Sequence, residues 1–163
     1  MIFTLLIIAI TFVFSTFLGY WAHLAFHQSW SGIFYRAHTN HHTIQYPPND
    51  FISEKYRSAG KYNSAYYFTF IFLPIIGLLV SSVFFLGIST FTCLIILATM
   101  LSVGLLHDNI HDSFHLQNSI WHHLPFHKKW QQLHLVHHID QSKNFGVYNF
   151  LFDKLFKTFQ NNE

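Results

Sequence analysis

The sequence is short of charge. Only 10% of its 163 residues are Asp, Glu, Lys or Arg, against about 25% in an average soluble domain. None of these residues occurs before Arg36, and none occurs between Lys61 and Asp108. The net charge of +2 is too small to suggest nucleic acid, so no such partner is expected. Cysteine is nearly absent. Cys93 stands alone in an apolar run, which rules out an intrachain disulfide and any CxxC metal site and leaves a small buried hydrophobe. No basic segment or small-residue cleavage site marks the first apolar run as a removable signal peptide.

Hydrophobic residues make up 51% of the chain, with 20 phenylalanines. Two long stretches without a charge on any face argue against a soluble helical bundle. Ile2 to Tyr20 is close to the roughly 20 apolar residues that cross a bilayer core. Tyr62 to His107 is long enough for two spans, with the turn expected at Gly87-Ile88-Ser89-Thr90 and a proline, Pro74, inside the first of them. The nine Lys and Arg all fall within 36–61 or 128–157. The positive-inside rule then sets the N-terminus outside, 28–63 and 108–163 in the cytoplasm, and a hairpin over 64–106. Every histidine lands on the cytoplasmic side, although histidine played no part in the assignment. The expectation is an all-α, polytopic membrane protein of three to four transmembrane helices, forming a single domain over 1–163 with a cytoplasmic helical cap.

Histidine is the other excess, with 14 copies. Ten of them form four clusters. HLAFH holds His23 and His27, HTNHH holds His38, His41 and His42, HDNIH holds His107 and His111, and HLVHH holds His134, His137 and His138. Residues three and four apart share a helix face, so a pair at i, i+4 can close on one metal. In a trio at i, i+3, i+4 the two adjacent rings diverge, so a trio can serve two neighbouring ions. The order pair, trio, pair, trio is therefore read as a dinuclear site with roughly five imidazoles for each metal. Histidines at the ends of membrane helices are costly unless they function.

Imidazole suits Zn, Cu, Fe and Ni, and the lack of thiolates argues against structural zinc. Glutamate is scarce, limited to Glu54 and Glu163. That excludes the ExxH motifs of soluble di-iron bundles. Leu24 follows His23, so the HExxH pattern of zinc peptidases is excluded as well. An all-imidazole site beside a membrane fits redox iron acting on a lipid. Asp108 and Asp112 each follow a cluster histidine, Asp140 follows the last trio, and all three are candidates to accept the far ring N–H of a ligand; the alternative is that they face solvent or cap helices. His115, His122, His123 and His127 lie between the third and fourth clusters and read as surface or headgroup-level residues.

The series HLAFH, HTNHH, HDNIH, HLVHH resembles the fatty acid hydroxylase/sterol desaturase superfamily of integral-membrane di-iron oxygenases. The tail NFGVYNFLFDKLFKTF resembles the family's closing pattern, a glycine after the last histidine box and then an aromatic-Asp segment, here Phe152-Asp153-Lys154-Leu155-Phe156-Lys157-Thr158. The likeness runs from Trp21 to Thr158. It implies a helical membrane fold, two iron ions held by the ten clustered histidines, and O2 as co-substrate. It also implies a lipid substrate such as an acyl chain or sterol, hydroxylated or desaturated. Electrons would come from a partner such as ferredoxin or cytochrome b5 with an NAD(P)H reductase. Carotenoid hydroxylases share this chemistry but open with HxxxxH, where this chain has HxxxH. From other classes, a membrane metal transporter would place its ligands at the bilayer midplane, and a two-haem carrier would leave the two trios unexplained.

Overall fold

In a computed structural model, residues 2–57 and 67–161 are described, with side chains of 67–72 excluded. Residues 64–66, at the start of the expected hairpin, lie outside them. The fold is helical. A bridge between Ser53 and Leu116 is the one piece of β pairing among the described residues.

Three apolar helices form the body. Helix α1 spans Ile2–Phe26; its 25 residues would extend about 37 Å at the standard rise. Its hydroxyls bond backward along the helix, Ser15 Oγ to Thr11 O at 2.7 Å and Thr16 Oγ1 to Val13 O at 2.9 Å, which satisfies them without water. Helix α3 spans Tyr67–Phe85 and contains Pro74, and α4 spans Thr90–Ser113. The intervening turn falls where the sequence indicates. Gly87 takes a φ of 74°, a left-handed conformation that glycine adopts without strain. Ser89 then caps α4, its side chain accepting the Thr92 N–H at 3.3 Å. Helices α1 and α4 are both long and apolar enough to cross a bilayer, and the part of α3 with described side chains, Leu73–Phe85, is apolar as well.

Helix α4 packs against both α1 and α3. Ile76, Met100 and Val103 are buried among Phe12, Leu18, Leu79 and Ile96. The outer faces stay apolar, with Ile2, Phe3, Leu78, Phe84, Phe85 and Phe91 all exposed, as lipid contact requires. The C-terminal ends of α1 and α4 lie side by side, so that a Cβ on Gly19 would sit 3.7 Å from the His107 ring.

Those ends carry a cap of shorter elements. Helix α2 is Ile33–Asn40 and runs into a π-helical turn, His41–Gln45. Helix α5 is His127–Ile139 and α6 is Leu151–Leu155. Phe51, Ile110, Phe114 and Val147 form the core of the cap, joined by Trp121, Trp130 and Tyr148. A second cluster, Tyr20, Phe145 and Phe152, ties α1 to the C-terminal segment.

Candidate metal centre

Among the described residues, two groups of histidines converge. Ring nitrogens of His23, His27, His38, His42 and His137 lie within 4.8 Å of one another, and so do those of His41, His115, His134 and His138. The end of α1 supplies His23 and His27 on one face. Helix α2 and its π turn supply His38, His41 and His42, and α5 supplies His134, His137 and His138. Neighbouring side chains on a helix point about 100° apart, so the adjacent pairs divide. His42 and His137 go to the first group, His41 and His138 to the second. The two groups adjoin, and the His42 and His138 rings stack at a centroid separation of 4.0 Å.

Backbone carbonyls fix the rings. Since a carbonyl only accepts, the ring nitrogen facing it carries the proton. His23 Nδ1–H donates to Phe145 O at 2.7 Å and His137 Nδ1–H to Lys143 O at 2.6 Å. In the second group His138 Nδ1–H donates to Tyr46 O at 2.8 Å and His115 Nδ1–H to Phe51 O at 3.1 Å. A neutral imidazole has one proton, so in these four rings Nε2 presents a lone pair to the centre of its group.

These nitrogens are crowded. His38 Nε2 lies 3.0, 2.9 and 3.0 Å from the Nε2 atoms of His23, His27 and His42. His27 Nε2 is 3.1 Å from His137 Nε2, and His134 Nε2 is 3.2 Å from both His115 and His138. A neutral ring has one proton, so the N–H of His38 or His134 can serve only one of its several contacts, and the remaining lone pairs repel unless a cation lies between them. An ion about 2.1 Å from each nitrogen would put neighbouring ligands about 3 Å apart. Further buried atoms point the same way. Among the described residues, neither ring nitrogen of His41 has a hydrogen-bond partner, nor does Nδ1 of His42 or His134, an arrangement that is unfavourable in a dry interior. The donor set therefore fits divalent ions of the imidazole-binding kind.

Burial also keeps the rings neutral. It holds His38, His41, His42, His134 and His137 well below the usual imidazole range, reinforced by neighbouring histidines. Desolvation pushes His138 down to about 3 and His27 down to about 4. Neutral imidazole is the form that ligates.

Eight of the ten clustered histidines enter the two groups. His107 and His111 stand outside them. The His111 ring borders the second group, 4.6 Å from His134 and 4.9 Å from His41 between centroids. His107 lies one turn away toward the helix body, where it lines a small cavity with Ser15, Thr16, Tyr20, Val103 and Tyr148.

One reading of the sequence needs correction. His115 is not a surface residue; it is 0% exposed and sits within the second group. Its signal was present, because His107, His111 and His115 continue a spacing of four along α4 and its end. His127 is buried too, its Nε2 2.8 Å from Ser113 Oγ, whereas His122 is half-buried and His123 is exposed, as the sequence indicates. For Asp140 the sequence leaves two roles open, orienting a ligand or capping a helix at the surface, and the contacts fit the second. Its carboxylate accepts Ser142 N–H at 3.0 Å and Ser142 Oγ–H at 2.7 Å, closing a turn rather than orienting a ligand. Asp112 Oδ1 lies 3.5 Å from His111 Nδ1, and Asp108 is buried on α4.

A family model described as fatty acid hydroxylase matches residues 8–158. No curated protein and no solved structure gives a match of comparable significance.

Proposed function

The chain belongs to the fatty acid hydroxylase family, and from that premise we propose that it is a membrane-bound di-iron oxygenase that hydroxylates or desaturates a C–H bond of a lipid. One observation carries the reading. Two adjoining nests of buried, neutral imidazoles turn nitrogens toward one another at 2.9 to 3.2 Å, at the end of helices whose outer faces are apolar. His23, His27, His38, His42 and His137 would hold one ion. His41, His115, His134 and His138 would hold the other, with His111 beside it.

Two iron ions, when bound, would supply the O2 activation needed to oxidise an unactivated C–H bond. The chain's own contribution is placement. Carbonyl-fixed Nδ1–H groups hold four rings in the ligating tautomer. Full burial of His23, His41, His134 and His137 keeps bulk water from the centre. The cavity at His107, between α1 and α4 on the side of the helix body, is only about water-sized, so an acyl or isoprenoid chain would have to part the side chains there to approach the nests. Hydroxylation consumes one O2 and a pair of electrons, so a separate reductant is required, such as ferredoxin or cytochrome b5 fed by NAD(P)H. The basic residues favour a cytoplasmic cap with the N-terminus outside. The haem alternative fares worse, because two haems would use only four of the nine histidines gathered in the two nests.

The test is iron analysis of detergent-purified protein together with lipid profiling of the expressing host. About two irons per chain and a lipid gaining one oxygen, or losing two hydrogens, are expected. His137→Ala is expected to abolish the product while the protein still inserts in membranes. Full activity in that variant, or zinc-only protein inactive with every reductant, overturns the proposal.

A further inference from the structure

The loop Lys143–Gly146 joins α5 to the C-terminal segment, and two of its carbonyls orient ligands of the same nest. Lys143 O receives the His137 proton and Phe145 O receives the His23 proton. The Phe145 ring also packs against His23, His27 and His137, at centroid distances of 5.7, 5.8 and 5.6 Å. The other nest draws its carbonyls from a different part of the chain. There, His138 and His115 are held by Tyr46 and Phe51, from the segment after the π turn.

Two buried polar residues lock the loop. Asn144, fully buried, adopts a φ of 52°, which asparagine tolerates better than most residues. Its Nδ2 donates to Leu133 O at 3.1 Å, on the helix bearing His134 and His137, and to Gln160 O at 2.8 Å. Its Oδ1 accepts Gln160 N–H at 2.9 Å. Asp153, also 0% exposed, accepts Phe145 N–H at 2.7 Å, Gly146 N–H at 2.8 Å and Thr158 Oγ1–H at 2.9 Å. Position 146 admits only glycine, since a Cβ there would lie 2.4 Å from Asn149 O and 2.7 Å from Asp153 Oδ2. The side chains thus hold the backbone on both sides of two carbonyls that carry no side-chain signal of their own.

We propose that Asp153 is a positioning residue dedicated to the five-histidine nest, acting through the loop that presents the Lys143 and Phe145 carbonyls, while Asn144 ties that loop to α5, so that the two metal sites are braced by different parts of the chain. The proposal rests on the dinuclear reading above. Its geometric content is that loosening the latch frees the His23 and His137 rings while the rings of the other nest keep their partners.

The test is titration of purified, metal-stripped protein with Co2+, followed by its visible spectrum and by calorimetry. The native chain is expected to take up two ions. Asp153→Asn places an amide where two N–H groups and a hydroxyl now find a carboxylate. It is expected to weaken one ion by about 10- to 100-fold, the range for groups that orient ligands, and to leave the other ion's affinity and spectrum unchanged. Thr158→Val, which removes one of the three bonds to the carboxylate, is the milder second variant should Asp153→Asn not fold. It is expected to weaken the same ion by a smaller factor. Native affinity at both sites in the variant that folds, or equal weakening at both, overturns the latch. A native chain that binds fewer than two ions overturns the dinuclear reading, and the latch with it.

Discussion

Replacing His115 with alanine is the sharpest test at the scale of one residue. The ring is buried, its Nδ1–H is held by Phe51 O, and its Nε2 faces His134. Loss of this imidazole is expected to weaken one ion and reduce product formation at least about 10-fold. His123, outside both nests and exposed, is expected to tolerate alanine within about 0.5 kcal/mol of stability and with native activity. Parallel metal titration and product assay of the two variants checks both. The contrast also shows what a single sequence can reveal. Helical spacing exposes side chains that share a face, and it reaches His115 once the series at 107 and 111 is continued. It cannot expose the groups that hold those side chains. Every residue has a carbonyl, and only the tertiary fold selects Tyr46, Phe51, Lys143 and Phe145 for the task. The carboxylates beside the boxes were the visible candidates, and Asp140 serves its own turn instead.

Among the elements, the contact of α1 with α4 sets how the first pair of histidines meets the rest. Gly19 stands one turn before His23, and a Cβ added to it would lie 3.7 Å from the His107 ring. Alanine fits there at ordinary contact distance, so Gly19→Ala is expected to keep native activity. Gly19→Leu overfills the gap, which commonly costs about 1–3 kcal/mol, and pushes the helices apart where the cavity at His107 opens. A lowered melting temperature in detergent and a several-fold loss of activity are expected. Native behaviour of the leucine variant would show that the two helix ends do not meet there. The apolar helices and their turn were legible because uncharged runs and Gly87-Ile88-Ser89 follow local rules. The π turn at His41–Gln45 was not. Its widened backbone follows no local residue signal, yet it carries His41 and His42, which serve different nests.

Across the whole molecule, the histidines make stability depend on pH in a definite direction. An unfolded histidine titrates near pH 6.5, while burial pushes His138 down to about 3 and His27 down to about 4. Between those values the unfolded chain binds protons that the folded chain refuses, so stability falls as pH falls. The metal-stripped protein is therefore expected to hold its highest melting temperature above about pH 6.5 and to lose it progressively toward pH 4. His38, His41, His42, His134 and His137, lowered for the same reason, add to the slope. A bound divalent cation opposes the trend, because it binds only the neutral folded nest and stabilises by mass action. At pH 7 the added ion is expected to raise the melting temperature, and the gain is expected to shrink on acidification as protons compete for the ligating nitrogens. Thermal melts of stripped and Co2+-loaded protein in detergent across this range measure both effects. A stripped protein with a flat profile from pH 7 to 4 would mean that the rings already carry protons in the fold. The crowded nitrogens would then be sharing hydrogen bonds rather than awaiting a metal.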